Sequence, residues 1–253
     1  MQAFLNIITI TKDDLEGVAA TILSTRNLRA CPGVRQIIID GSCDKVQEEV
    51  QALIIGEQNI DYLWKEPNGI SHAFNQGVIS SDCDWVWFLN GRDEAYPDLD
   101  AHFLLQILKV SQAEVIICEL EYLQSRLSYR HPPLWALWPP LFWEPHPATL
   151  IKRSLFDRYG LYRQEFKIAM DGEIWVRLFS KDIVVDMLSM PITLFDQGGV
   201  SSNQPVKVHQ EANKIIINNF ELLFTIWLKQ GFYLLQALKK YIMSKVCGEG
   251  SSK

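Results

Sequence analysis

Three acidic residues, Asp40, Glu66 and Asp93, each follow a separate apolar, β-branched run of the sequence. In a parallel sheet, ligands bind beyond the carboxyl ends of the strands. We therefore expect the three carboxylates at one edge of a sheet, although aspartate is also common in ordinary turns. Such a set of carboxylates indicates a site for a cation or for a hydroxyl-rich ligand.

The elements that position these residues alternate along the first half of the chain. The predicted strands cover residues 4–11, 36–40, 60–65, 85–90 and 114–123. The predicted helices cover residues 15–28, 44–53, 70–79 and 99–110. Strands separated by helix-length connections predict an α/β fold with a mainly parallel central sheet and helices on both faces.

Residues 124–148 interrupt this alternation with six prolines and with the tryptophans Trp135, Trp138 and Trp143. Dense proline excludes regular structure, and a long irregular connection in a compact domain is usually functional or mobile. Two interpretations stay open: a surface loop held by its tryptophans, or a flap that faces a substrate.

Beyond this connection the pattern becomes mainly helical. It predicts a short helix at Ser154–Tyr159, a helix at 171–181, one or two strands within 183–195, and helices from 209 to 245 with a break near Gly231. The last helix has an apolar stripe opposite a lysine-bearing face. Such a stripe usually packs on its own domain, and docking on a membrane surface is the alternative.

Composition and charge exclude several classes of protein. A chain of 253 residues with 48% hydrophobic residues and eight tryptophans can bury a core and is not disordered. A net charge of −6 argues against a non-specific nucleic-acid binder. Residues 1–206 carry a net charge of −10 and residues 207–253 carry +4. The basic tail makes an anionic membrane surface a candidate partner.

The cysteines and the N-terminus predict a cytoplasmic protein. Five widely spaced cysteines without a C-x-x-C pair indicate neither a zinc site nor a disulfide framework, and they fit a reducing compartment. The N-terminus lacks the basic leader of a signal peptide, and no run reaches the roughly 20 apolar residues that span a bilayer. Peripheral contact with the inner face of the membrane remains open.

Seven sequence pieces, in order along the chain, carry a family resemblance. They are IITIT near the start, IIIDGSCD at 37–44, EPNGISHAFNQGV at 66–78, WFLNGRD at 87–93, HPATLIKRSLF at 146–156, MDGEIWVRL at 170–178 and GGVSS at 198–202. With these pieces the sequence resembles family 2 glycosyltransferases of the GT-A fold, and within them the bacterial exopolysaccharide enzymes of the colanic-acid type.

The resemblance implies both a fold and an activity. It implies a Rossmann-like GT-A domain over residues 1–205. The helical pattern beyond that domain predicts a C-terminal extension at 206–247, packed on the domain or on a membrane, and we expect a disordered tail at 248–253. The implied activity is inverting transfer of a sugar from a nucleotide diphosphate sugar, a UDP- or GDP-sugar, to an acceptor hydroxyl. The implied acceptor is a glycan or a polyprenyl-linked sugar in polysaccharide assembly.

The resemblance also assigns donor-binding residues. It places Thr9 and Thr11 at the base pocket, with Asp40 at the base or ribose. Glu66 and Asn75 belong to its donor-binding stretch, in which Asn68 and His72 replace the acidic residues of many relatives. Arg92 would lie near the leaving diphosphate. Nucleotide N–H or hydroxyl groups would satisfy a buried Asp40.

The resemblance further implies a metal ligand, a base and an acceptor side. Asp93 would bind Mg²⁺ or Mn²⁺, which needs only one or two protein carboxylates when phosphate oxygens and water complete its shell. Asp171 would be the general base, although an aspartate at a helix start is also a common N-cap. His146 and Gly199 would flank the acceptor.

Two alternatives to an active transferase remain. The first is a non-catalytic sugar-nucleotide-binding relative of the same fold, which the departures Asn68, His72 and Arg92 motivate. The second is a sugar nucleotidyltransferase, which needs a glycine-rich phosphate loop after the first strand. Here that strand is followed by Lys12-Asp13-Asp14, and the next glycine is Gly17, so the second alternative is disfavoured.

Overall fold

The computed structural model describes residues 3–129, 146–199 and 203–221, together with 224 and 228. The strands within these residues are β1 Ala3–Thr11, β2 Val34–Asp40, β3 Ile60–Trp64, β4 Cys83–Phe88, β5 Glu94–Ala95, β6 Val115–Tyr122, β7 Ser128–Tyr129, β8 Thr149–Lys152 and β9 Val185–Phe195. The helices are α1 Leu15–Ser24, α2 Arg26–Arg29, α3 Asp44–Leu53, α4 Ile70–Ile79, α5 Ala101–Val110, α6 Ser154–Tyr159, α7 Met170–Phe179 and α8 Pro205–Asn218.

The strands form one mixed sheet in the order β3-β2-β1-β4-β8-β6-β9-β5, with β7 paired to β6. The first four strands pair in parallel, as the sequence predicts, and so do β6 and β9. β8 runs antiparallel to both β4 and β6. β8 starts at the edge of the sheet where β6 ends, so it runs in the direction opposite to β6. The second half of the sheet is consequently more mixed than the predicted mainly parallel one.

Helices cover both faces of the sheet, and each face has its own core. One cluster packs residues of α4, α6 and α7 on one face, and a second packs α5 on the opposite face. A third cluster packs α1 and α3 against β2. α4 lies especially close to β1, because a Cβ atom on Gly77 would stand only 2.3 Å from Cγ2 of Ile8. Glycine at this position lets α4, and the segments around it, approach the sheet.

Several predicted elements differ in their bounds. The helix predicted at 15–28 is split at Thr25, whose hydroxyl donates to the carbonyls of Thr21 and Ile22 and thereby competes with helix continuation. Residues 185–195 form a single strand. The helix predicted from 209 begins at Pro205, a residue that suits the first helical position.

Parts of the predicted irregular and C-terminal segments lie outside the described residues. This applies to 130–145, with its three tryptophans, and to 229–253, with the predicted lysine-bearing helix and tail. In the described part of the chain, no helix combines the length and the apolar composition that a membrane span requires.

Candidate active site

A cavity of about 850 Å³ opens beyond the carboxyl ends of the parallel strands. Its wall includes the end of β1, the turn after β4 and the residues that follow β9, and the start of α7 closes it from another side. Six of the residues singled out from the sequence line it: Thr11, Arg92, Asp93, His146, Asp171 and Gly199. The fold therefore brings the proposed metal, base and acceptor residues to one cavity.

Asp93 is a buried carboxylate in the wall of this cavity, with 2% of its surface exposed. Its Oδ1 accepts a hydrogen bond from the N–H of Asp196 at 3.0 Å, and its Oδ2 accepts one from the N–H of Asn90 at 3.3 Å. Burial raises the pKa of Asp93 to about 8, and the nearby charge of Asp196 adds to that shift. A cation in the cavity would relieve both effects.

Asp196 and Asn90 were not singled out from the sequence, yet both line the cavity beside Asp93. Asp196 directly follows β9, and its Oδ1 accepts a hydrogen bond from Gln124. Oδ1 of Asn90 is buried, and none of the described residues forms a hydrogen bond with it. The signal for Asp196 was its position directly after a strand, the same signal that identified Asp40 and Asp93.

The oxygens of Asp93, Asp196 and Asn90 form a donor set that fits a hard cation. Mg²⁺ and Mn²⁺ prefer carboxylate and carbonyl oxygens and leave several positions to phosphate and water. Among the described residues, no three His, Cys, Asp or Glu side chains lie close enough together to hold a metal by themselves. Asp40, Glu66 and Asp93 end or follow parallel strands of the same sheet, as expected, but only Asp93 lines the cavity. A bound cation would therefore depend on oxygens from a ligand.

Arg92 reaches the cavity but is held by Asp14. Its Nε and Nη2 donate to the two carboxylate oxygens of Asp14 at 2.7 and 3.0 Å. The same carboxylate caps α1 by accepting from the N–H of Gly17. A Cβ atom on Gly17 would lie 2.2 Å from Oδ2 of Asp14, so glycine makes room for this pair. The guanidinium thus stands at the rim of the cavity with part of its charge already neutralised.

Asp171 is the second residue of α7 and lines the cavity. The N-cap of this helix is Ala169, so Asp171 does not take the capping role that its sequence position allowed. Its Oδ1 accepts a hydrogen bond from the N–H of Gly172 at 2.8 Å. Burial raises the pKa of Asp171 to about 6. The carboxylate is therefore poised to exchange a proton near neutral pH.

His146 lies deep in the wall as a neutral imidazole. Burial lowers its pKa to about 3, its Nε2 lies 2.5 Å from the hydroxyl of Tyr162, and its ring stacks on Phe88 at 4.7 Å between centroids. At Gly199, by contrast, a Cβ would meet none of the described residues within 4 Å. Among the described residues, the cavity wall is thus more tightly packed at His146 than at Gly199.

The structure does not bring the other four predicted donor residues into the cavity wall. Asp40 is fully buried, and its two oxygens accept from the N–H of Ser42 and the hydroxyl of Tyr62, both at 2.8 Å. Thr9 is also fully buried and accepts a hydrogen bond from Gln36 at 2.9 Å. Protein donors therefore satisfy these groups, where the sequence interpretation assigned that task to the nucleotide.

Glu66 and Asn75 complete this set. Glu66 is exposed to solvent outside the cavity wall. The side-chain amide of Asn75 donates to the carbonyl of Tyr162 at 2.8 Å and accepts from its N–H at 2.9 Å. Asn75 thereby ties α4 to the segment after α6, as a paired strand residue would.

A mixed β-sheet flanked by helices, with a cavity at the strand ends, is the fold of GT-A-like glycosyltransferases. The sequence model of Glycosyl transferase family 2 matches residues 6–171, and the chain belongs to this family. An uncharacterized glycosyltransferase of Mycobacterium tuberculosis strain H37Rv is 29% identical over 213 residues, which cover 79% of this chain and 78% of the relative.

Solved structures share the fold. A crystal structure of TarS from S. aureus superposes with a TM-score of 0.65 at 13% identity, over 85% of this chain and 39% of TarS. This chain therefore spans well under half the length of TarS. A complex of TarS 1–349 with UDP-GlcNAc gives a TM-score of 0.62 at 13% identity, over 85% of this chain and 66% of that one.

The mannosyltransferase PcManGT from Pyrobaculum calidifontis, solved with GDP-Man and Mn²⁺, gives a TM-score of 0.60 at 11% identity. The likeness covers 97% of this chain and 76% of PcManGT. At these low identities, the likeness establishes the shared fold and leaves substrate and mechanism to the residues of this chain.

Proposed function

We propose that this chain transfers a sugar from a UDP- or GDP-sugar to an acceptor hydroxyl with inversion at the anomeric carbon. One observation carries the proposal: the oxygen donors Asp93, Asp196 and Asn90 line the same cavity as the carboxylate Asp171, whose pKa is raised to about 6. The two groups match the two needs of the reaction, stabilisation of the leaving diphosphate and removal of the acceptor proton.

In this proposal Asp171 is the general base. The acceptor hydroxyl oxygen attacks the anomeric carbon while its proton passes to the carboxylate of Asp171, and the bond from that carbon to the diphosphate oxygen breaks on the opposite face. Near neutral pH most of Asp171 is ionised and still basic enough to take a proton, which is the range where general bases are most effective. The neutral His146 has no part in this proton transfer.

Asp93, Asp196 and Asn90 would hold Mg²⁺ or Mn²⁺ at the diphosphate side of the cavity. When bound there, the cation supplies positive charge to the departing nucleotide diphosphate. Thr11 and Arg92 line the same side and are the proposed protein contacts to the donor. TarS with UDP-GlcNAc and PcManGT with GDP-Man and Mn²⁺ support a nucleotide-sugar ligand for this fold.

We further propose a lipid-linked glycan as acceptor, in polysaccharide assembly of the exopolysaccharide type at the cytoplasmic membrane surface. The support is chemical: Ile217, Phe220 and Leu228 expose 75%, 67% and 52% of their surfaces, and residues 207–253 are net basic. Apolar side chains together with lysines favour peripheral contact with anionic lipids. Co-sedimentation with vesicles that contain anionic phospholipid tests this part, and protein that ignores such vesicles would contradict it.

The activity is tested by a screen of UDP- and GDP-sugars with Mn²⁺, with and without candidate acceptors. The wild-type protein should transfer or slowly hydrolyse one donor, and Asp171→Asn should lower turnover by about 10²–10⁴-fold while the donor still binds. Donor binding without turnover, unchanged by Asp171→Asn, would instead identify a non-catalytic binding relative. Release of diphosphate from a nucleoside triphosphate would identify a nucleotidyltransferase.

A further inference from the structure

The carboxylate of Glu211 on α8 accepts hydrogen bonds from three successive backbone N–H groups. Oε1 accepts from Lys167 at 2.9 Å, and Oε2 accepts from Ile168 at 2.9 Å and from Ala169 at 2.8 Å. Consecutive peptide N–H groups that converge on one anion form a nest, a backbone conformation that the anion stabilises. A side chain that is more than forty residues away in the sequence therefore organises this segment.

The organised segment leads directly into the cavity. Ile168, Met170 and Asp171 all line it. Ala169, the N-cap of α7, offers no side-chain hydrogen bond to the helix. On the other side of the nest, the hydroxyl of Ser71 donates to the carbonyl of Phe166. The path of the backbone into Asp171 is thus held from α4 on one side and from α8 on the other.

α8 itself is anchored to the domain, so Glu211 has a fixed position. Ile215, one turn after Glu211, is fully buried in the core that includes α7. The ammonium of Lys214 lies 5.3 Å from the centre of the Phe166 ring. A rigid support of this kind is what a catalytic side chain needs in order to keep its reactive geometry.

We propose that Glu211 is a positioning residue for Asp171, and that α8 therefore supports the geometry of the active site. This inference rests on the proposed role of Asp171 as the general base. Glu211 does not line the cavity, and it acts through the backbone of residues 167–169. A displacement of about 1 Å in a reacting group can cost roughly 10²-fold in rate.

Glu211 also contributes charge. Among the described residues, the ionisable groups on the elements around Asp171 include His146, Tyr162, Glu173 with its partners Arg163 and Arg177, and Glu211. Two exposed lysines, Lys167 in the segment itself and Lys214 on α8, lie nearby, and solvent screens their charges. Burial keeps His146 and Tyr162 neutral, since it lowers the pKa of the imidazole and raises the pKa of the phenol. Burial raises the pKa of Asp171, and the negative charge of Glu211 adds to that shift. Glu211 thus makes Asp171 a stronger base.

The test compares Glu211→Gln with the matched variant Glu165→Gln. Glu165 is exposed and lies just before the same segment, so its variant makes the same chemical change without touching the nest. We expect Glu211→Gln to lower kcat by about 10–100-fold with the donor KM almost unchanged, and to move the acidic limb of the pH profile to lower pH. Glu165→Gln should resemble the wild type in all three measurements.

If Glu211→Gln matches Glu165→Gln in kcat and in the acidic limb, the positioning role is overturned. Asp171→Asn, measured alongside, separates the two hypotheses: wild-type turnover in that variant overturns the proposed function itself. Hydrogen exchange in the wild-type protein gives a test that does not depend on a variant folding. The amides of 167–169 should exchange slowly, and exchange as fast as that of an open loop would overturn the role of Glu211.

Discussion

The carboxylates at the strand ends differ sharply between two regions of the sheet. At the end of β2, Asp40 is fully buried, and its two oxygens accept strong hydrogen bonds from Ser42 and Tyr62. At the ends of β4 and β9, Asp93 and Asp196 lie next to each other and face the cavity. There the carboxylate of Asp93 accepts hydrogen bonds from two backbone N–H groups, and its pKa is raised to about 8.

This difference separates a structural carboxylate from a reactive one. A buried charge is tolerated when protein donors satisfy it, and it is costly when they do not. Asp40 belongs to the first kind, because its donors come from the protein and fix the start of the loop after β2. Asp93 also accepts two backbone hydrogen bonds, but it lies beside the charge of Asp196 and its pKa is raised. In the proposed function, a cation in the cavity would favour its ionised form.

The largest change in donor binding is expected for Asp93→Asn. A neutral amide is a much weaker ligand than a carboxylate, so the Mn²⁺-dependent part of UDP binding should fall by about 10²-fold, as measured by titration calorimetry with and without Mn²⁺. Asp98→Asn is the matched control, because Asp98 is exposed and lies outside the cavity wall. Equal Mn²⁺ dependence in both variants would contradict the metal assignment.

Asp40→Asn should lower the stability of the fold and leave UDP binding almost unchanged, the reverse of what we expect for Asp93→Asn. The variant loses one of the two acceptor oxygens, so a buried donor is left unpaired and the free energy of unfolding should fall by about 1.5–3 kcal/mol in urea titrations. The affinity for UDP in the folded variant should stay close to that of the wild type. A large loss of UDP affinity at unchanged stability would instead identify Asp40 as a donor ligand, as the sequence alone suggested.

The pH profile of turnover tests Asp171. A general base works only when deprotonated, and its pKa in this protein is about 6. The rate should therefore reach its plateau above that value and fall by roughly tenfold for each pH unit below it. The measurement is kcat from pH 4.5 to 8 in wild-type protein. A flat profile through pH 6 would mean that Asp171 does not accept the proton in the rate-limiting step.

The sequence predicts the parallel half of the sheet better than the mixed half. Short β-branched runs separated by helix-length segments define β1 to β4 to within two residues at each end, because local periodicity and topology agree there. β8 pairs antiparallel with β4, and it is separated from β7 by residues 130–148. Asp196 lies next to Asp93 because β5 pairs with β9. Such contacts join residues far apart in the chain, and no local pattern encodes them.

The same distinction applies within the site. Six predicted residues line the cavity because they lie near strand or helix ends, which topology places at the sheet edge. Thr11 ends β1, Arg92 and Asp93 lie in the turn after β4, His146 precedes β8, Asp171 is in the first turn of α7, and Gly199 follows β9. Thr9 and Asn75 were expected to meet the donor, but Gln36 and Tyr162 take their hydrogen bonds. Their partners come from neighbouring strands and loops. A motif thus indicates that a polar residue serves either the fold or the site. The packing around the residue determines which of these two roles it has.

The smallest effect is expected for Arg92→Lys at the cavity rim. Arg92 forms a bidentate pair with Asp14, but its side chain is 56% exposed, and exposed pairs contribute about 1 kcal/mol or less. A double-mutant cycle in urea with Arg92→Lys and Asp14→Asn measures this coupling. Asparagine remains a good N-cap, so the second change preserves the cap of α1. A coupling well above about 1 kcal/mol would mean that Arg92 and Asp14 stabilise the fold as Asp40 does. The end of β2 and the cavity rim after β4 would then differ less than we infer.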